Sequence, residues 1–302
     1  MNIVQLKTFL VLAECLNVTE TSVRMNCTQP AVSARIRNLE EECNVLLFDR
    51  IGKRVYLTKQ GAVFRDYVKN AVDILQTATD HLKQMDDPLS GCVKFGATNF
   101  IGTYFLPPFL GLYRRDYPNI SFEVNISCSS DILGRLEDNS VEFVVLSDQI
   151  SIDESRYHVQ NICDDEMILV VAPDHPLAES QQCTVDELEN YNFLLKGDGS
   201  STHGFVLEKI HAMGGRLGSV MHISSTEAIK QGVMYGLGIS FLSRFTVSHE
   251  METARLCEVP LESVCFKRKI RFIYREEKRL SAPSERFLAT LLESMMAESP
   301  RK

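Results

Sequence analysis

The sequence predicts an N-terminal all-α winged helix-turn-helix with a long linker helix, followed by an α/β body of two lobes. Three observations predict it. The stretch Thr28-Gln29-Pro30-Ala31-Val32-Ser33-Ala34-Arg35-Ile36-Arg37-Asn38-Leu39-Glu40 reads as a capped amphipathic helix behind a tight turn. Phe64, Val68, Ala71, Leu75, Ala78, Leu82 and Met85 recur at alternating spacings of four and three. From Cys92 onward, strand-like apolar runs alternate with helical ones.

Residues 4–16 read as a first helix, with Leu6, Phe9, Leu10, Leu12 and Ala13 on one side. Asn17-Val18-Thr19 closes it and caps a second helix near 20–25, and Asn26-Cys27-Thr28 forms the turn. In the third helix, about 29–42, the Thr28 hydroxyl can accept an orphaned backbone N–H, and Pro30 falls where a missing N–H costs nothing. Val32, Ile36 and Leu39 face inward. Gln29, Ser33, Arg35 and Arg37 lie on the outer face, and such side chains read base edges and phosphates in a major groove.

The apolar run Val45-Leu46-Leu47-Phe48 is expected to pack back on these helices. Residues 49–58 read as a hairpin with Gly52 at its turn and a basic tip of Arg50, Lys53 and Arg54, a wing suited to phosphates or a narrow minor groove. The helix over 59–86 carries the seven-residue seam, which must pack either against the chain's own body or in a dimer coiled coil. The dimer fits a helix-turn-helix, because two-fold proteins bind paired half-sites. Asp86-Asp87-Pro88-Leu89-Ser90-Gly91 then breaks the helix as a linker.

In the body, strands are expected at 93–97, 121–127, 142–146, 167–172, 193–195, 220–223, 238–242 and 270–274. Helices are expected at 105–117, 130–137, 184–190, 205–213, 226–235 and 284–296. Such alternation predicts parallel, doubly wound sheets, and about 210 residues is enough for two lobes. The late strand and last helix are expected to return to the first lobe.

Composition narrows the function classes. The net charge is −8, but residues 1–60 carry eight basic and six acidic side chains, so the acid excess lies in the body. Only the first segment needs to meet phosphate. No run of about 18 apolar residues spans a bilayer, and the N-terminus lacks a signal-peptide pattern, so a cytoplasmic protein without membrane contact is expected. The nine cysteines, 15, 27, 43, 92, 128, 163, 183, 257 and 265, are scattered without a C-x-x-C and read as reduced thiols. No metal and no cofactor is expected. The seven histidines are dispersed, and no Ser-His-Asp order, H-E-x-x-H, Walker loop or G-x-G-x-x-G stands in context. Gly236-Leu237-Gly238 runs into a strand, and His175 lies in a Pro-flanked turn as a structural residue. An enzyme is therefore not expected. A solute-binding transport protein would share two lobes but needs export.

These features together resemble the LysR-type transcriptional regulators over essentially the whole chain. The resemblance is carried by Leu6, Phe9, Ala13, Gln29-Pro30-Ala31-Val32-Ser33, Ile36, Leu39-Glu40, Leu46-Leu47-Phe48, Arg50, Leu57-Thr58 and Gly61. Leu106-Pro107, Tyr117-Pro118, Ala172 to Leu177, Glu227-Ala228-Ile229 and Gly236-Leu237-Gly238-Ile239 continue it. The resemblance implies a winged helix-turn-helix at 1–58, a dimerising linker helix at 59–87 and a two-lobed, periplasmic-binding-protein-like co-inducer domain at 92–302. Lobe I is expected at about 92–161 and 267–302, lobe II at about 162–266. It further implies double-stranded promoter DNA, a small-molecule co-inducer and a second copy as partners, in a homodimer or homotetramer, with RNA polymerase as a further partner. Thr21-Ser22 stands where the family carries two alanines, and Ala34 where it often carries Arg. DNA contact is accordingly expected from Thr28, Gln29, Pro30, Ser33, Arg35, Arg37, Arg50, Lys53 and Arg54, but not from Ala34.

Doubly wound lobes bind ligands at the carboxyl ends of their strands, where helix N-termini favour anions. Thr98-Asn99-Phe100, Cys128-Ser129, Ser200-Ser201-Thr202 after the loop Gly197-Asp198-Gly199, and Ser225-Thr226 stand at such places. They match the family's usual inducer positions, and each hydroxyl could equally be a helix cap. The expected ligand is a small anion held by hydroxyls and backbone N–H groups without Lys or Arg. The alternative within the fold is a redox regulator, but residues 197–210 hold no Cys, which leaves the pair Cys257 and Cys265.

Overall fold

The computed structural model describes residues 1–302 except 53, 87–89, 181, 198–199, 263–264 and 299–302. The chain divides into two compact units, Met1–Asp86 with Asp138–Ser140, and Asp87–Glu137 with Val141–Lys302.

The first unit is built from α1 (Ile3–Cys15), α2 (Val18–Arg24), α3 (Gln29–Cys43), the hairpin β1 (Phe48–Ile51) and β2 (Arg54–Leu57), and α4 (Lys59–Asp86). Asn2 starts α1 with a reciprocal cap: its side chain accepts the Val4 and Gln5 N–H groups, and the Gln5 side chain accepts the Asn2 N–H. Asn17 caps α2. Thr28 caps α3, accepting from the Ala31 N–H at 3.4 Å. Gly52 turns the hairpin at φ +62°, a conformation glycine adopts without strain. The core gathers Phe9, Leu12, Val32, Ile36, Leu39, Leu47, Phe48 and Val68, with the Phe9 ring against those of Phe48 and Phe64.

Two expectations change here. Leu47 and Phe48 are buried, but Val45 and Leu46 are exposed, because the Asn44 left-handed cap ends α3 and turns them outward. The linker seam also divides. Val68 is buried and Phe64 packs beside it in the unit's own core, whereas Leu75 and Leu82 are 55 % and 66 % exposed and Ala71 and Ala78 are exposed. The side chain of Met85 lies outside the described residues.

The second unit carries a mixed sheet of seven strands. In chain order come β3 (Gly91–Thr98), a π-helical turn (Ile101–Phe105), α5 (Pro107–Asp116), β4 (Ile120–Ser127), α6 (Ser129–Glu137), β5 (Phe143–Ser147) and β6 (Tyr157–Val171). They are followed by β7 (Phe193–Leu195), α7 (Ser201–Ala212), β8 (Val220–His222), α8 (Thr226–Met234), β9 (Ser240–Ser243), α9 (Arg244–Glu252), β10 (Cys257–Val259), β11 (Phe266–Arg275) and α10 (Ala282–Glu298).

The alternation predicts parallel sheets, but this sheet is mixed. β3 pairs β4 and β5 in parallel, but β11 runs antiparallel to both β5 and β6, and β9 and β10 pair antiparallel with the end of β6. The reason is the pair of long strands β6 and β11, 15 and 10 residues, which cross from one lobe to the other. Ile162, Ile270 and Phe272 belong to the first lobe's core with Phe95, Phe143 and Phe287. Met167, Leu169 and Phe266 belong to the second lobe's core with Phe193, Phe205 and Phe241. Phe287 and Leu291 of α10 are fully buried in the same core as Ile270 and Phe272 of β11. Among the described residues no helix is long and apolar enough to cross a membrane.

Candidate functional sites

On α3, Gln29, Ser33 and Arg37 stand four residues apart and so form one row along the helix. Gln29, Pro30 and Arg37 are exposed and Ser33 is half-buried. Arg35 departs from this row. Two residues from Arg37, it projects about 160° away around the helix. Its Nη1 donates to Thr8 Oγ1 at 3.3 Å and lies 3.5 Å from Cys27 Sγ, so it ties α3 to α1 and the turn. Its expected place among the outward groups is thus corrected. Lys53 and the side chains of Arg50 and Arg54 lie outside the described residues. The wing itself is anchored from α3: Glu40 Oε1 accepts the Leu47 and Phe48 N–H groups at 2.8 and 3.0 Å. Thr58 caps α4 through the Gly61 N–H at 2.8 Å, and a Cβ on Gly61 would come within 2.1 Å of the Leu47 carbonyl oxygen.

In the second unit a cavity of about 350 Å³ opens between the lobes. Of the expected effector residues, Thr98, Asn99, Phe100, Cys128, Ser129, Ser200, Ser201, Thr202 and Thr226 all line it. Ser225 does not. It caps α8 through the Ala228 N–H at 3.3 Å and lines a neighbouring pocket with Tyr104 and Glu227. Capping accounts for few of the others. Ser200 makes no side-chain cap bond, and the Thr98 hydroxyl is buried with no hydrogen-bond partner among the described residues. Asp198 and Gly199 lie outside the described residues.

The cavity also holds what the sequence reading left out, cationic side chains. Arg268 on β11 is in register with Asp165 on β6, and their side chains are 1 % and 0 % exposed. Arg268 Nε donates to Asp165 Oδ2 at 2.7 Å and Nη1 to Thr202 Oγ1 at 3.0 Å, while its guanidinium lies 4.1 Å from the Phe100 ring centre. Ser243 donates to the other Asp165 oxygen at 2.6 Å. One guanidinium thus touches the strands joining the lobes, the first turn of α7 and the first lobe. Burial pushes its pKa down and Asp165 opposes that. Lys196, half-buried, lines the same cavity with no ion-pair partner among the described residues, and burial lowers its pKa. Thr246 is 3 % exposed and its hydroxyl has no hydrogen-bond partner among the described residues. The expectation of a site without Lys or Arg is therefore corrected. A signal existed in the sequence: Asp164-Asp165-Glu166 and Lys267-Arg268-Lys269 are complementary triplets that the antiparallel register sets opposite each other.

Beside the cavity the lobes are latched. Tyr104 of the π-helical turn donates to Glu227 of α8 at 2.8 Å, and Lys230, 5 % exposed, pairs with Glu227 and Glu250 at 3.0 Å each. Burial would raise the Glu227 carboxyl, but hydrogen bonds from Gln231, Tyr104 and Lys230 outweigh it and hold it down at about 2. A depressed carboxyl stabilises the fold fully above its ordinary value of 4.5, and that stability fades as pH falls toward about 2. The melting-temperature gap between wild type and Tyr104→Phe should therefore stay constant down to about pH 5 and narrow below 4.5. Thermal melts across that range check it, and a gap indifferent to pH would show that Tyr104 does not act on the carboxylate.

The cysteine pair Cys257 and Cys265 is not a disulfide candidate. Cys257 stands opposite Val171 and Phe266 opposite Met167 on β6. Four residues at about 3.4 Å each separate those positions, which leaves Cys265 about 9–10 Å from Cys257, beyond the roughly 7 Å a disulfide spans.

Sequence comparison agrees with the two units. The model of the family described as "Bacterial regulatory helix-turn-helix protein, lysR family" matches residues 3–62, and that of the "LysR substrate binding domain" matches residues 86–296. The chain belongs to the LysR family of transcriptional regulators. It is thus a DNA-binding regulator with a small-molecule effector domain. The chain is similar to the uncharacterized HTH-type transcriptional regulator YwqM of Bacillus subtilis (strain 168), 31 % identical over 290 residues, covering 95 % of this chain and 97 % of that one. In structure it resembles full-length CbnR complexed with target DNA, with a TM-score of 0.73 at 18 % identity over 97 % of this chain and all of that one. It also resembles the regulatory domain of Synechocystis CcmR in complex with 2-PG, with a TM-score of 0.63 at 24 % identity, covering 69 % of this chain and 99 % of that one. Both structures share the LysR fold seen here.

Proposed function

We propose that this LysR-family protein binds an interrupted inverted repeat as a dimer, and that a small anionic effector held between its lobes changes how dimers pack on DNA. The observation that carries the effector's charge is the cavity's donor set. Arg268 is buried in its wall and Lys196 has no ion-pair partner there among the described residues. Both groups donate only, so the complementary ligand presents acceptors, a carboxylate or a phosphate. The CcmR domain in complex with 2-PG supports this class, and CbnR on its target DNA supports the DNA reading.

DNA contact is assigned to Gln29, Pro30, Ser33 and Arg37, with Arg50, Lys53 and Arg54 of the wing, while Thr28 and Arg35 hold α3 in place. The exposed stripe of Ala71, Leu75, Ala78 and Leu82 on α4 is assigned to the second copy. Altered packing changes DNA bending and the access of polymerase. Because the coupling is a free energy, DNA in turn alters effector affinity by the same factor.

Titration calorimetry of the full-length protein tests the effector class. A panel of small carboxylates and phosphates, 2-PG among them, is run against matched neutral amides. At least one anion should bind with micromolar affinity, about −8 kcal/mol, and its amide should not. Silence from every anion, or equal heats from the amides, would overturn the reading.

A further inference from the structure

We propose that Cys128 is a nucleophilic thiol which the effector cavity offers to small electrophilic carboxylic acids, capturing them covalently. The preference for acids rests on the anionic reading of the cavity, whereas the nucleophilicity of the thiol does not. Cys128 lines the cavity and is exposed. Its carbonyl accepts the Ile132 N–H at 3.1 Å, which makes it the residue capping the nine-residue α6. The sulfur lies 3.3 Å from the Ser130 hydroxyl. That hydroxyl and the Asp131 N–H stabilise the thiolate and lower its pKa, outweighing burial and the Asp131 carboxylate, which both oppose it.

A second observation, independent of the sulfur, marks the cavity as a place for a ligand. Thr246 is 3 % exposed, lines the same wall, and its hydroxyl has no hydrogen-bond partner among the described residues. A ligand acceptor would satisfy it, as it would engage Lys196 and Arg268.

The molecule carries its own control. Cys265 is the other exposed cysteine, but its sulfur lies 3.6 Å from Glu166 Oε1, and burial with that carboxylate pushes its thiol up. The remaining seven are buried or half-buried. In the reaction the Cys128 thiol gives its proton to water, the sulfur lone pair attacks the carbon bearing the leaving group, a C–S bond forms, and the leaving group departs with its bonding pair.

The test treats the full-length protein briefly with iodoacetate or iodoacetamide near neutral pH and follows all nine cysteines by peptide mass spectrometry. Cys128 should be alkylated about tenfold or more faster than Cys265 by both reagents. Its rate ratio of iodoacetate to iodoacetamide should exceed that at Cys265 severalfold. Arg268→Met should bring that ratio down to the Cys265 value. Lys196→Gln, at a half-exposed position that spares the sheet, should lower it as well and serves if Arg268→Met fails to fold. Equal rates at Cys128 and Cys265 would overturn the proposal while leaving anion binding by calorimetry untouched. Fast labelling without a preference for the acid would overturn the acid selectivity, and silent calorimetry in the same preparation would trace that failure to the anionic reading.

Discussion

Asp165→Ala is expected to destabilise the effector domain by about 3–5 kcal/mol, because it strands a buried guanidinium. Arg268 and Asp165 are 1 % and 0 % exposed, so neither charge is compensated by water. After the deletion the guanidinium keeps, among the described residues, the Thr202 hydroxyl, the face of Phe100 and the more distant charge of Asp148. Ser243 also loses its acceptor. The double variant Asp165→Leu with Arg268→Met should recover most of the loss, since apolar side chains of similar volume remove both desolvation penalties together. Urea unfolding of the full chain, read at the effector-domain transition, measures this through the midpoint at unchanged slope. Effector affinity should separate from stability. Every variant lacking Arg268 should bind the anion about 10–150-fold more weakly, the worth of one charged hydrogen bond at about 1.5–3 kcal/mol, including the double variant that folds well. If Asp165→Ala unfolds within about 0.5 kcal/mol of wild type, the size of an ordinary surface substitution, the pair is not sealed from water.

The same residues show how far the sequence could be read. In the first unit the signals are local: Asn17 and Thr28 cap helices within three residues, and Gly52 turns a four-residue strand onto the next. Elements there could be placed to within a residue or two. In the body the effector clusters were legible because each follows a strand, where helix N-termini gather. Arg268 was not, because its partner lies 103 residues away and β6 breaks its apolar pattern before Met167 with Asn161, Asp164, Asp165 and Glu166. A strand that passes between two cores carries charge at its crossing, so periodicity fades where the site is. Arg35 misled for a related reason. Its residue type suits DNA, and only the position of Thr8 and Cys27 beside it shows that the guanidinium is used inward.

That contrast gives the second large effect. Arg37→Ala should weaken DNA binding about tenfold or more on every sequence and flatten its salt dependence, whereas Arg35→Ala should leave the salt dependence unchanged and lower the melting temperature. Arg37 is exposed and lies two turns beyond Gln29 on the row Gln29–Ser33–Arg37. In a helix that enters a major groove N-terminus first, the early residues reach base edges and a late one reaches the backbone. A dimer presents the residue twice, so two phosphate contacts vanish, and the slope of log K against log salt should fall in magnitude by about 1.8. Arg35 spends its guanidinium on Thr8 and Cys27, and its loss removes a tie between α1 and α3 without removing a phosphate contact. Binding isotherms on a cognate and a scrambled duplex at several salt concentrations separate the two. Losses confined to the cognate duplex would reassign Arg37 to base reading, worth about 1–3 kcal/mol per half-site. An unchanged slope and affinity in Arg37→Ala, with both falling in Arg35→Ala, would mean that α3 meets DNA through its opposite flank, and the row from Gln29 to Arg37 would then face solvent.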